Sequence, residues 1–209
     1  MTNKNIMLVS PPLITICGSI VALTFGAIIG KWAFVPLIIS TWILFGYFVY
    51  RFSDVPQRKS WLAKSEGTWG WAILALVVGL IPLPILLRFY DTLSPWIVWL
   101  PWALIAIINP WFEEFYWRGL LLDYTKNWKK WQAVLYTSFF FSFNHVIFSF
   151  NSDMSKGIEL FISTFIMGVV WAIVYQKTKS LRWCIFSHFL VDTFNLSAAV
   201  FLDLFSSGF

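Results

Sequence analysis

The stretch that decides the fold is "NPWFEEFYWRG", residues 109–119, where three ionisable side chains interrupt an aromatic and aliphatic run. A charged side chain at the centre of a membrane helix costs about 2.5–3.5 kcal/mol. Each apolar neighbour returns only about 0.3–0.6 kcal/mol on insertion. Glu113, Glu114 and Arg118 therefore fit a membrane helix only if they face protein or water and compensate one another.

The composition places the whole chain in the membrane class. Of its 209 residues, 59% are hydrophobic and 12% are charged, and the mean hydropathy is +0.73. Soluble domains carry about 25% charged residues. We therefore expect lipid as the surroundings and do not interpret the net charge of +5 as affinity for nucleic acid. Cys17 and Cys184 lie in apolar stretches and match no disulfide or zinc pattern.

We predict an all-α fold, a polytopic membrane bundle of about seven transmembrane helices that forms one integral-membrane domain over residues 1–209. A helix that crosses the bilayer core needs about 20 apolar residues. The predicted spans are 6–30, 32–50, 69–90, 96–122, 131–150, 158–176 and 183–205. Pro82 and Pro84 are expected to break the third span, and Pro110 the fourth. The polar stretch 51–68 is expected to form either an interfacial helix or a solvated loop.

The distribution of lysine and arginine predicts the orientation. When successive loops are assigned to alternate sides, eleven basic residues lie on one side and three (Lys31, Arg88 and Lys156) on the other. The richer side is expected to be cytoplasmic, which puts the amino terminus inside and the carboxyl terminus outside. Lys31 alone separates the first two apolar runs, so the sequence leaves open whether they form one span or two. The short chain and its lysine-rich loops favour a prokaryotic plasma membrane.

Two of the three charged residues in 109–119 can pair with each other, and Glu113 is left without a partner on its own helix. Glu114 and Arg118 are four residues apart and share a helix face, so they can neutralise each other. The alternative for this pair is a structural ion pair that only fixes geometry. Pro110 is expected to begin a new helix and to place Glu113 in its first turn, near the positive end of the helix dipole. An unpaired carboxylate inside the membrane indicates a functional site.

Both histidines of the chain, His145 and His188, fall in predicted spans. A single histidine on an apolar helix is more often a core residue than a catalytic one. Asp192 follows His188 by four residues, so the two share a helix face. Convergence of Glu113, His145, His188 and Asp192 in one pocket would bury all four economically, and Asn144 is a further candidate.

This set of side chains is suited to amide hydrolysis. A carboxylate beside an imidazole can hold and deprotonate a water molecule, and a second imidazole beside a carboxylate can stabilise an oxyanion. The sequence has no serine-elbow motif and no His-Glu-x-x-His motif. A glutamate-activated water without a metal or another cofactor fits these side chains better. A zinc site formed by His145, His188 and Glu113 is the alternative.

Three segments resemble one known family when they are taken together. They are "EEFYWR" (113–118), "FSFNH" (141–145) and "HFLVD" (188–192). They are similar, in order, to the Glu-Glu-x-x-x-Arg, Phe-x-x-x-His and His-x-x-x-Asn/Asp motifs of the CAAX protease and bacteriocin-processing family, also called the CPBP or Abi family. The resemblance covers about residues 96–205, which would form the catalytic core.

The resemblance implies an intramembrane endopeptidase that acts on a membrane-associated peptide or protein. Glu113 with His145 would activate the attacking water, and His188 with Asp192 would stabilise the oxyanion. The supporting residues Glu114 and Arg118 would keep the site in shape. Members that process prenyl proteins commonly carry asparagine at the position of Asp192. An ionised aspartate cannot donate to an oxyanion, so that role would fall mainly on His188.

Two other functions remain open at this point. The first is bacteriocin self-immunity by binding rather than by cleavage, because the same family is associated with both roles. The second is a small transporter that uses the buried carboxylates as a proton relay. A transporter would favour inverted repeats with matched broken helices, and the sequence shows no such pairing.

Overall fold

The computed structural model describes residues 2–153 and 157–203, and within these ranges the chain is helical without a strand. The helices are α1 Asn3–Ile29, α2 Phe34–Phe52, α3 Val55–Trp61, α4 Trp69–Leu80, α5 Leu83–Phe89, α6 Trp96–Glu114, α7 Leu121–Tyr124, α8 Lys130–Phe148, α9 Ile158–Thr178, α10 Arg182–Phe194 and α11 Ser197–Phe201. A π-helical segment, Phe115–Leu120, joins α6 to α7.

Five helical stretches are long and apolar enough to cross a membrane. They are Asn3–Phe52, Trp69–Leu93, Trp96–Tyr124, Lys130–Asn151 and Ile158–Thr178. These stretches confirm the prediction of an all-α, multi-pass membrane bundle. The orientation of the termini stays a prediction, and the carboxyl terminus lies outside the described residues.

The first of these stretches contains two packed helices. Its 50 residues would extend about 75 Å at 1.5 Å per residue, more than twice the thickness of a bilayer core. Between α1 and α2 the chain passes through a short 3₁₀ turn, where Gly30 has a φ of +57°. Ser10 of α1 and Phe45 of α2 both contact Tyr116. The two helices therefore run antiparallel as a hairpin, which favours two spans rather than one.

The prolines behave differently in the two predicted breaks. The break at Pro82 and Pro84 is confirmed, because α4 ends at Leu80 and α5 begins at Leu83. The break at Pro110 is wrong, because this residue lies inside the continuous helix α6. Membrane helices tolerate proline where neighbouring groups satisfy the freed backbone. Glu113 therefore lies in the last turn of α6, and the predicted position at a helix amino terminus is wrong as well.

The prediction of one helix over 183–205 is also wrong. Helix α10 has 13 residues, about 20 Å, which is shorter than the bilayer core. Leu196 then adopts a left-handed conformation with φ +57°, and the chain turns into the short helix α11. The polar face of α10 turns toward α6 rather than toward lipid, since Asp192 is hydrogen-bonded to Asn109.

The connection 51–68 packs against the bundle, although a short helix, α3, forms within it. Trp61 is only 1% exposed, and its indole Nε1 donates to Asp123 Oδ2 at 2.9 Å. Its carbonyl accepts from the backbone N–H of Leu181 at 2.7 Å. A side chain at Gly119 would come within 2.9 Å of the Trp61 ring, so glycine permits this close approach. This part of the connection is therefore not a free loop, and its position at the headgroups stays a prediction.

The central element of the fold is α6 with its π-helical continuation. Every residue from Tyr116 to Leu122 is buried. Helices α2, α8, α9 and α10 all contact α6 or the π-helical segment. The junction between the two thus lies in the middle of the bundle, and it carries Glu113 and Glu114.

Candidate active site

Glu114 is the glutamate of the site whose Oε1 is hydrogen-bonded, whereas its Oε2 has no partner among the described residues. Its Oε1 accepts from Arg118 Nη1 at 2.9 Å and lies 2.9 Å from Nδ1 of His188. Because the carboxylate accepts, His188 donates through Nδ1, which leaves Nε2 for other contacts. The Arg118 guanidinium lies 4.1 Å from the centre of the Phe141 ring. A buried ion pair, an imidazole and an aromatic face thus compensate one another.

Glu113 faces the opposite side of the same imidazole. Its Oε2 lies 3.8 Å from Nε2 of His145 and 3.9 Å from Nε2 of His188. The residue is 2% exposed, and Oε2 has no hydrogen-bond partner among the described residues. This oxygen is therefore a buried acceptor that lies within 4 Å of two imidazole nitrogens.

His145 is oriented by its own helix. Its Nδ1 lies 2.9 Å from the carbonyl oxygen of Phe141, one turn earlier in α8. A carbonyl can only accept, so Nδ1 carries the proton and Nε2 faces Glu113. The side chain of His145 is 15% exposed, whereas those of Glu113 and His188 are 3% and 2% exposed. His145 therefore marks the side from which the site is reached.

Asp192 ends a chain of hydrogen bonds that begins at Trp42, a residue outside the family motifs. Its Oδ2 lies 3.7 Å from Nε2 of His188 and accepts from Asn109 Nδ2 at 3.1 Å. The other end of the Asn109 amide, Oδ1, accepts from the indole Nε1 of Trp42 at 2.9 Å. Because the indole can only donate, Trp42 determines which end of the amide faces Asp192.

His188 is held from its other face by an aromatic ring. Trp171 of α9 stacks on the imidazole, with 4.5 Å between ring centres and 21° between planes. The Trp171 indole donates to the Ser187 hydroxyl at 2.9 Å, and this hydroxyl donates to the Ala75 carbonyl at 2.6 Å. Helices α4, α9 and α10 together thus restrict the position of the ring.

The structure brings together all six residues singled out in the sequence. They are Glu113, His145, His188 and Asp192, with Glu114 and Arg118 beside them. Asn144 is buried, but its Nδ2 has no hydrogen-bond partner in the part of the chain that is described.

Sequence reasoning missed Asn109, Trp42 and Trp171. Asn109 had a usable signal, because it precedes Glu113 by four residues and so shares its helix face. The two tryptophans had none, since 14 tryptophans are spread through this sequence.

The arrangement can be compared with the needs of a metal ion. Tetrahedral zinc holds its ligands at 2.0–2.1 Å, so neighbouring ligand atoms are about 3.3 Å apart. The Glu113 oxygen lies 3.8 and 3.9 Å from the two imidazole nitrogens. Within residues 2–153 and 157–203, no group of three or more histidine, cysteine, aspartate or glutamate side chains is arranged as a metal site. The absence of a metal from this site stays a prediction.

The comparison with known protein families bears on this same part of the chain. No curated protein and no solved structure matches the chain significantly. Residues 94–194, slightly less than half of the chain, match the family model described as "Type II CAAX prenyl endopeptidase Rce1-like". The matched segment runs from just before α6 to the end of α10 and includes all six predicted residues. This match confirms the resemblance seen in the sequence, and it supports a peptidase of the type II CAAX kind in a multi-pass membrane protein.

Proposed function

We propose that this protein is a glutamate-dependent intramembrane endopeptidase that hydrolyses a peptide bond of a membrane-associated peptide or protein. The observation that carries the proposal is the Glu113 oxygen, buried without a hydrogen bond and flanked by two imidazole nitrogens at 3.8 and 3.9 Å. Such a group costs free energy in a folded protein unless a further molecule completes its contacts. Water is the molecule that a hydrolase would place there.

Glu113 is the general base in this proposal. A water molecule about 2.8 Å from each partner can bridge two atoms that are 3.8 Å apart. Glu113 Oε2 removes one proton of the water, and the other proton, which stays on the oxygen, is hydrogen-bonded to His145 Nε2. The deprotonated water then attacks the carbonyl carbon of the peptide, and the proton passes through Glu113 to the leaving amine.

His188 is the oxyanion-stabilising group. Its Nδ1 proton is directed to Glu114, so donation to an oxyanion requires a second proton on Nε2. The carboxylates of Glu114 and Asp192, 2.9 and 3.7 Å away, compensate the positive charge of that doubly protonated ring. Stacking on Trp171 keeps the ring in place, which is the preorganisation that oxyanion stabilisation needs.

Asn109 is a positioning residue for Asp192. An ionised carboxylate at position 192 can only accept, and the Asn109 amide supplies the donor that holds it. Trp42 keeps the amide in the donating orientation. The N-terminal hairpin, which lies outside the family match, thus contributes to the site through one hydrogen bond.

The proposal is tested by cleavage with matched variants. Wild type, Glu113→Gln and His145→Ala are purified in lipid nanodiscs and incubated with prenylated and unprenylated membrane peptides, with and without a chelator. Mass spectrometry of the products should show cleavage by wild type only, with the rate of Glu113→Gln reduced about 10²–10⁴-fold. Glu159→Gln, an exposed glutamate in the first turn of α9, is the control and should cleave like wild type.

Three outcomes would contradict the proposal. Equal cleavage by wild type and Glu113→Gln would remove Glu113 from the mechanism. No cleavage by wild type across the peptide panel, together with bacteriocin protection that survives in Glu113→Gln, would favour immunity by binding. Loss of cleavage with the chelator and its recovery with zinc would assign a metal to Glu113, His145 and His188.

A further inference from the structure

A cavity lies outside the catalytic cluster, beside the first residues of α4 and α10 and the last residue of α9. Its volume is about 480 Å³, and its walls come from the connection before α4 and from the ends of α9 and α10. The side chains used below are Lys64, Glu66, Trp69, Arg182, Trp183 and Phe186. None of the six residues of the catalytic site lines this cavity, so the cavity is distinct from that site.

The cavity lies at the boundary that a bilayer would have on this bundle. One candidate span begins at Trp69 and another ends at Thr178, and both residues line the cavity. The rings of Trp69 and Trp183 pack edge to face, with 6.3 Å between their centres. Trp69 is 76% exposed and Phe186 is 45% exposed. Tryptophans at this level are typical of the interface between headgroups and acyl chains.

The cavity contains charges of both signs. Lys64 and Arg182 supply two positive charges, and Glu66 supplies one negative charge. The Arg182 side chain is anchored, because its Nε donates to the Leu62 carbonyl at 2.8 Å. The structure gives Lys64 and Glu66 no ion pair or side-chain hydrogen bond with the described residues. Two charged groups of opposite sign are thus available to a ligand that carries both signs.

The backbone around these charges is held in place. The Glu66 N–H donates to the Thr178 carbonyl at 2.7 Å, and the Ser180 hydroxyl donates to the Ala63 carbonyl at 2.7 Å. Gly67 has a φ of +83°, a conformation that favours glycine. The Ser65 hydroxyl oxygen is buried without a hydrogen-bond partner in the described residues. The cavity therefore has fixed walls and one unsatisfied polar atom.

We propose that this cavity binds the headgroup of a phospholipid that carries a phosphate and a primary ammonium group, as phosphatidylethanolamine does. The phosphate lies against Lys64 and Arg182, and the ammonium group lies against Glu66 and the Trp69–Trp183 pair, which can also contact it through cation–π interaction. The acyl chains leave over Phe186 toward the bilayer. A lipid fits better than a soluble phosphate compound, because the exposed tryptophan and phenylalanine surface continues directly into the membrane.

The test measures lipid retention and does not depend on peptidase activity. Delipidated protein is mixed with phosphatidylethanolamine, phosphatidylglycerol or phosphatidylcholine, and bound lipid is counted by native mass spectrometry. Wild type should retain phosphatidylethanolamine most strongly. Lys64→Ala should weaken retention of all three lipids about fivefold. Glu66→Ala should abolish the preference for ethanolamine over glycerol, because only the ammonium group needs the carboxylate.

The matched control is Lys59→Ala, an exposed lysine of the same connection that does not line the cavity. It should retain lipid like wild type. Equal losses in Lys59→Ala and Lys64→Ala would overturn the proposal, since they would show a general surface charge effect. Retention without preference among the three headgroups would overturn it as well. Competition by soluble glycerophosphoethanolamine at equal concentration would show that the headgroup alone, rather than a lipid, is the ligand.

Discussion

The motif-bearing helices and the N-terminal part of the chain differ in what they contribute. Helices α6, α8 and α10 supply all four proposed catalytic side chains. Residues 2–93 supply hydrogen bonds to α6 and to the two segments that continue it: Trp42 to Asn109 at 2.9 Å, Ser10 to Tyr116 at 2.7 Å and Trp61 to Asp123 at 2.9 Å. The difference teaches that the family motifs place the chemistry while a part without motifs orients it.

The largest expected effect lies inside the motif region. Glu114→Gln removes the charge that pairs with Arg118 and His188, and an unpaired buried charge costs about 3–5 kcal/mol. We expect a large loss of thermal stability, measured in nanodiscs. Glu113→Gln is the matched variant and should leave the melting temperature close to that of wild type. Equal destabilisation by both changes would contradict the division between a structural and a catalytic glutamate.

A smaller effect is expected where α4 of the N-terminal part packs against α10. A methyl group at Gly79 of α4 would lie 3.0 Å from the Ser187 carbonyl oxygen and 3.2 Å from Leu190. Gly79→Ala should therefore lower the free energy of unfolding by about 1–3 kcal/mol, as overpacking does. The measurement is thermal unfolding, with Gly70→Ala as the control, since the nearest atom there is 3.6 Å away. No difference between the two variants would show that α4 and α10 can separate freely.

Trp42→Phe tests whether the N-terminal hairpin orients the site. The change removes the indole donor to Asn109 and keeps an aromatic ring beside Phe112, on which Trp42 stacks. Loss of one buried hydrogen bond of about 1–1.5 kcal/mol predicts a decrease in kcat of about tenfold with little change in KM. Trp102→Phe is the control, because it loses a donor to the Thr193 carbonyl instead. The same kinetic change in both variants would reduce the role of Trp42 to packing.

The smallest expected effect is at the other hydrogen bond of the hairpin. Ser10→Ala leaves the buried Tyr116 hydroxyl without its hydrogen-bond partner. An unsatisfied buried polar group costs about 1–3 kcal/mol, and we expect a value near the lower end because the hydroxyl can rotate. Thermal unfolding should show this cost, and cleavage at saturating substrate should not change. A decrease in kcat would show that this contact also orients the site.

Much of the site could be predicted because charge is expensive inside a membrane. Glu113, Glu114, Arg118, His145 and His188 had to face one another, and the helix spacing of Glu114 with Arg118 identified the pair in advance. The supports could not be predicted in this way. The indole of Trp42 reaches Asn109 across 67 positions of sequence, and no local pattern encodes that contact.

The two wrong predictions about the fold also arise from contacts between residues that are distant in the sequence. Pro110 was expected to end a helix, but surrounding helices stabilise α6 through that position. The run 183–205 has the apolar length of a span, but α10 ends where Leu196 adopts a left-handed conformation within the tertiary structure. Local propensity is overridden in both places by packing that involves distant residues.

The burial of residues Tyr116–Leu122 has a consequence for biosynthesis. This segment and the glutamates just before it leave the ribosome before α8, α9 and α10 exist, so Glu113, Glu114 and Arg118 enter the membrane before most of the helices that later cover them. Arg118 finds its partner Glu114 four residues earlier on the same chain, and this pair can form during insertion. Glu113 must wait for His145 and then His188. The order of synthesis therefore neutralises the pair first and assembles the reactive group last, after the bundle has closed around it.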